Sequence, residues 1–314
     1  MSKKKKILLA VAAVACVAVC LCAFFGISHW MKNRIRYSVA DTLPDGAGQR
    51  ARVIILAGQS NASGCSLDEY LQENVTEEKY AEYQNGYENV YINYLSGMNT
   101  SGGFVKCATL QGEIEGGFGP ELGMAEKLCE LYPDETFYII KCAWGGTNLF
   151  SEWLSPSSAG RTGKLYRHFI AYVQASIEYL LSKGYDVEIE GICWMQGESD
   201  SFSVEASENY GEHLTNFLAD VRRRFSRQAD ADGIAFVDAY IAPNPIFWVF
   251  YEGVNRGKDE VAASSPLNVL VDTIANGLDC TQEPKDKPDI PHYDSLSEIK
   301  LGHLFIEQLV PFLD

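Results

Sequence analysis

One serine, one histidine and a handful of carboxylates and glycines at loop positions carry the chemistry legible in this 314-residue chain. Ser60 stands in Gly58-Gln59-Ser60-Asn61, directly after the apolar run 53–56. A serine on a tight strand-to-helix turn exposes its hydroxyl and turns its backbone N–H toward an incoming oxyanion. The segment differs from the Gly-x-Ser-x-Gly elbow because position 62 is alanine, and the same residues also suit a plain turn with a capping serine. His292 closes Asp289-Ile290-Pro291-His292, a spacing that brings a carboxylate to one ring nitrogen and leaves the other for a hydroxyl. The other four histidines are poorer bases: His29 borders a long apolar run, and His168, His213 and His303 fall in helical patterns. Two further loops offer polar groups. Gly145-Gly146 lets backbone N–H groups approach a ligand closely, and Gln196, Glu198 and Asp200 offer an amide donor and two carboxylates.

Each of these groups needs a strand end to hold it. Apolar runs at 53–56, 137–142, 189–194, 234–239 and 268–272 read as buried strands, and 121–131, 165–181 and 205–225 as helices. Residues 62–118 read as a long region of loops and short irregular elements. The last helix is expected near Ser295, where Ser295-x-x-Glu298 has the form of a capping box. Strands alternating with helices imply an α/β fold with a parallel sheet covered on both faces, and ligands in such sheets bind beyond the strands' carboxyl ends. The chemistry-bearing loops all follow strands, so one rim of the sheet is the expected site.

Gly58-Gln59-Ser60-Asn61, Gly119-Pro120-Glu121, Gly145-Gly146-Thr147, Trp194-Met195-Gln196-Gly197-Glu198-Ser199-Asp200 and Asp289-Ile290-Pro291-His292 together resemble the blocks of the SGNH hydrolases. The similarity is to the branch of sialate O-acetylesterases and acetylxylan esterases (carbohydrate esterase family six), from about Val53 to the C-terminus. It implies a flavodoxin-like three-layer α/β/α sandwich and a serine esterase that removes O-acetyl groups from carbohydrate. Ser60 would be nucleophile and His292 base, with Asp289 or Glu198 orienting the ring. The oxyanion hole would comprise the N–H of Ser60, that of Gly146 or Gly145, and the Gln196 amide. Gln59, Asn61, Trp144 and Asp200 would meet substrate, with Trp153 and Tyr293 as further aromatic candidates. No metal or organic cofactor is implied. Trp194-Met195 stands where the branch often has a histidine, which leaves substrate preference open. The alternatives are a lipid or thioester hydrolase of the same fold, or a catalytically silent surface glycan-binding module.

The N-terminus adds a location. Lys3–Lys6 precede an uncharged apolar run over 7–27, and about 20 apolar residues span a bilayer core. A single-pass anchor is expected over 1–36 with the basic tip inside, a linker over 37–51 and an extracytoplasmic esterase domain over 52–314. A cleaved signal peptide would instead make the protein secreted. The first 36 residues hold seven of the 26 basic residues and none of the 42 acidic ones, so 19 basic residues face 42 acidic ones thereafter, a net of −23. That surface disfavours nucleic acid. Oligomeric state is not legible. No Cys-x-x-Cys pair marks a zinc site; Cys65 and Cys107 flank the long loop region and could pair in an oxidising compartment.

Overall fold

β1 (Arg50–Gly58) is apolar at nearly every position and buried from its second residue on. A strand covered on both faces has that composition, and β1 lies in the middle of the sheet. The other strands are β2 (Ser66–Leu67), β3 (Tyr87–Ser96), β4 (Asn99–Thr100), β5 (Val105–Cys107), β6 (Gly117–Phe118), β7 (Phe137–Ala143), β8 (Asp186–Met195), β9 (Ala235–Ala239) and β10 (Asn268–Val271). The computed structural model describes residues 35–313 except Pro245. The expected membrane anchor therefore falls outside the described residues. No helix among those described is long and apolar enough to cross a membrane.

The main sheet runs β10-β9-β8-β1-β7-β3-β4, with β5 also on β3. The six strands from β10 to β3 are parallel, and β4 and β5 add antiparallel to the edge. Helices cover both faces. A side chain at Gly191 would run into Leu309 of the helix Ser295–Leu309, whereas Trp194 packs on Phe217 of the helix Tyr210–Arg224 at 4.9 Å. Residues three apart on a strand point to opposite faces, so the three-layer arrangement is present. The strand order departs from the flavodoxin-like expectation. Counted in chain order the parallel strands lie 2-3-1-4-5-6, not 2-1-3-4-5. The fully buried β7 takes the place beside β1, and β3, with several part-exposed positions, lies outside it.

Three local expectations need correction. Residues 62–118 contain the ten-residue β3 and the helices Asp68–Asn74 and Glu77–Asn85. β3 hides a polar residue: Asn93, 1% exposed, accepts from Tyr172 Oη at 2.8 Å and donates to Ser176 Oγ at 2.9 Å. The expected helix 205–225 is two, Val204–Glu208 and Tyr210–Arg224, divided at Asn209. The capping box does not form. Glu298, in the first turn, is fully buried and its carboxylate bonds no backbone N–H, and Glu283 accepts from the Ser295 N–H and hydroxyl instead. Residues 37–49 have no helix or strand, as a linker would, yet they lie fixed on the domain. Tyr37 Oη bonds His168 Nδ1 at 2.6 Å, and the Gly46 and Gly48 N–H groups donate to the Lys183 and Gly184 carbonyls.

Two features of the core deliver the site. Gly123 and Gly302 bring the helices Glu121–Leu131 and Ser295–Leu309 to backbone contact: a Cβ at either would lie about 2 Å from the other helix's carbonyl oxygens, Ile299 O and Pro120 O. Inside β7, the fully buried Lys141 pairs with Glu121 at 2.7 Å, which lets a charge occupy an otherwise apolar strand.

Candidate active site

The register places three carboxyl ends level: Gly58 of β1 faces Ala143 of β7 and Met195 of β8. Gly58 has φ +143°, and a Cβ there would sit 1.9 Å from the Met195 carbonyl oxygen. Only glycine lets β1 turn so tightly. The Gln59 N–H then donates to that same oxygen, and Ser60 begins a one-turn helix, Ser60–Ser63. Ser60 is 8% exposed and its Oγ has no hydrogen bond to protein among the described residues. Its N–H, first in the helix, has no intrahelical acceptor.

His292 comes to the same turn from the far end of the chain. Asp289 Oδ2 lies 2.7 Å from its Nδ1, and Nε2 has no hydrogen-bond partner among the described residues. The loop is pinned on both sides of the ring. The Tyr293 N–H donates to Asn61 Oδ1 at 3.1 Å, Asn61 Nδ2 reaches the Pro291 carbonyl at 3.4 Å, and Ser66 Oγ donates to the Tyr293 carbonyl at 2.6 Å. Asn61 Nδ2 also donates to Glu198 Oε1 at 2.9 Å. Glu198 is 2% exposed, and burial raises its pKa. It touches the histidine loop through Asn61, whereas Asp289 bonds the ring itself.

The glycine pair divides its roles. The Gly145 N–H donates to Glu113 Oε2 at 2.7 Å. Gly146, at φ +68° with room where a Cβ would stand, has no acceptor for its N–H among the described residues. Of the two alternatives only Gly146 has a donor to offer.

Several expected substrate contacts are internal supports. Gln196 is fully buried; its Nε2 donates to Asp200 Oδ2 (2.6 Å), the Thr147 carbonyl (2.9 Å) and Gln59 Oε1 (3.2 Å), and Tyr210 Oη donates to its Oε1 at 2.9 Å. No amide hydrogen remains for an oxyanion. Asp200, 1% exposed, also accepts from the Leu149 and Phe150 N–H groups, and burial raises its pKa to about 6. Gln59 Oε1 accepts from the Gly197 and Ser199 N–H groups. Asn61 is occupied as above. Trp153 is fully buried and Tyr293 3% exposed, so both are core. Trp144 is half-buried against Trp153 and His168 and keeps some surface at the rim.

The sequence reading missed Glu113, which also accepts from Ser63 Oγ; nothing but its place in a Gly-rich loop hints at it. It missed the apolar rim as well. Phe202 and Val204 beyond β8, and Ile246, Phe247 and Val249 beyond β9, are all exposed. Cys65 and Cys107 are buried free thiols. Among the described residues no cluster of His, Cys, Asp and Glu could hold a metal ion.

Comparison with known proteins follows this geometry. A protein from Arabidopsis thaliana superposes with TM-score 0.61 at 17% identity, over 86% of this chain and 99% of its own. NanS gives 0.58 at 17%, over 87% and 99%. A carbohydrate acetylesterase from Xanthomonas citri gives 0.54 at 14%, over 80% and 54%. At such identities the likeness is one of fold. No curated protein sequence matches. A family profile described as carbohydrate esterase, sialic acid-specific acetylesterase matches residues 50–311, so the chain belongs to that family and is a carboxylic ester hydrolase.

Proposed function

We propose that the protein removes O-acetyl groups from carbohydrate by acyl transfer through Ser60. His292 Nε2 takes the hydroxyl proton as Ser60 Oγ attacks the ester carbonyl. Asp289 on Nδ1 holds the ring and stabilises its protonated form. The tetrahedral oxyanion is received by the N–H groups of Ser60 and Gly146, each such donor lowering the barrier by about 3 kcal/mol. His292 returns the proton to the departing sugar hydroxyl, and water activated by the same ring releases acetate. Gln196 supports the loop from behind and takes no direct part.

The observation that carries this reading is the Asn61 carboxamide, one residue from the nucleophile and bonded to both peptide groups around His292. An N-terminal tether over 7–27, holding the domain outside the cytoplasm, completes the proposal and rests on the sequence alone. The test is acetate release across acetylated xylans, sialic acids and other acetylated glycans, with Ser60→Ala as control. Release by the wild type and none by the variant is expected; equal release by both would overturn the proposal. A second reading, hydrolysis of lipid or thioester, has the exposed Phe202, Val204, Ile246, Phe247 and Val249 in its favour. Faster turnover of long-chain acyl esters than of acetyl esters would select it.

A further inference from the structure

We propose that Glu113 is a positioning residue that sets the oxyanion donor, an inference that rests on the serine-esterase reading above. One of its carboxylate oxygens joins two loops at the sheet's rim. Oε2 accepts from the Gly145 N–H at 2.7 Å in the loop after β7, and from Ser63 Oγ in the one-turn helix after β1. Its backbone is fixed too: the Glu113 N–H donates to the Gly64 carbonyl at 2.9 Å, and Asn99 Nδ2 donates to the Glu113 carbonyl at 2.8 Å. At the end of β3, a Cβ on Gly97 would lie 2.6 Å from Glu113 Oε1, so the carboxylate fills the gap between three strand ends.

The arrangement has a chemical consequence. Gly145 and Gly146 offer consecutive N–H groups, and a loop free to rotate would present either. By taking the Gly145 N–H, Glu113 fixes the preceding peptide plane and leaves the Gly146 N–H, at φ +68°, as the donor without a partner among the described residues. The same oxygen holds Ser63 and so keeps the Ser60 turn in register with Gly146. Both donors serve the transition state only if their separation is fixed. Glu113 acts on kcat and does not touch the substrate.

The test measures kcat and KM of the full chain for p-nitrophenyl acetate, with Glu113→Ala, Glu113→Gln and Ser63→Ala beside the wild type and Ser60→Ala as the blank. Glu113→Ala should lower kcat about 100-fold at nearly constant KM. Glu113→Gln keeps a carbonyl acceptor for both donors and should stay within about tenfold of wild type. Ser63→Ala cuts one arm and should fall between them; it also carries the test should Glu113→Ala fail to fold. Unchanged kcat in Glu113→Ala, equal losses in the Ala and Gln variants, or an effect confined to KM would each overturn the assignment. A wild type no faster than the Ser60→Ala blank would sink the esterase reading itself, a distinct result.

Discussion

Asn61 grips His292 by its flanks: the Asn61 carboxamide accepts from the Tyr293 N–H at 3.1 Å and reaches the Pro291 carbonyl at 3.4 Å. The residue beside Ser60 thus carries the loop of His292. Cutting this link should loosen the ring while leaving the sheet intact. Asn61→Ala is expected to lower kcat about 100-fold with KM little changed, as read from initial rates on an acetyl ester. A variant with wild-type kcat would remove Asn61 from the assembly of the site.

Asp289 and Glu198 compete for one role, and their contacts rank them. Asp289 bonds His292 Nδ1 directly, whereas Glu198 reaches the loop only through Asn61 Nδ2. Asp289→Asn should cost about 10⁴ in kcat, as loss of the orienting carboxylate does in serine hydrolases. Glu198→Gln keeps an acceptor for Asn61 and should cost about tenfold. Single-turnover rates on the two variants decide it, and the reverse order would give the role to Glu198.

Lys141 and Glu121 form an ion pair with no solvent exposure on either side chain. Glu298 nearby is fully buried, and burial raises its pKa well above the ordinary range with the Glu121 charge adding to the effect. Removing one partner strands the other charge in the core. Lys141→Met should destabilise the fold by about 3–5 kcal/mol, and Lys141→Met with Glu121→Met should recover most of that. Denaturant titration of the two variants measures the difference, and a double variant no more stable than the single would contradict it.

What the sequence disclosed follows a physical division. β1, β7, β8, β9 and β10 were legible because buried parallel strands are written as short apolar runs. β3 was not, because Asn93 interrupts its run and is satisfied by Tyr172 and Ser176, residues of a helix far along the chain. The helix Tyr251–Ala263 escaped because Gly253 and Gly257 weaken its pattern; Gly257 is there because the backbone of Gly211 passes too close for a side chain. At the site, Ser60 and the Asp289–His292 spacing are local patterns, and the contact that the spacing implies is present. The misplacements concern partners. Gln196 has the chemistry of an oxyanion donor, but Asp200, Thr147 and Gln59 already hold its hydrogens. Residue type discloses capacity; the folded neighbours decide whether any is left over.

The glycine pair that lets the helices Glu121–Leu131 and Ser295–Leu309 touch has a further effect in time. The last helix carries the histidine loop, and 232 residues separate Tyr293 from the Asn61 that holds it. On the proposed roles of Ser60 and His292, a ribosome must therefore emit nearly the whole described domain before the pair can form, and a chain whose final helix has peeled away would lose it even with its sheet intact.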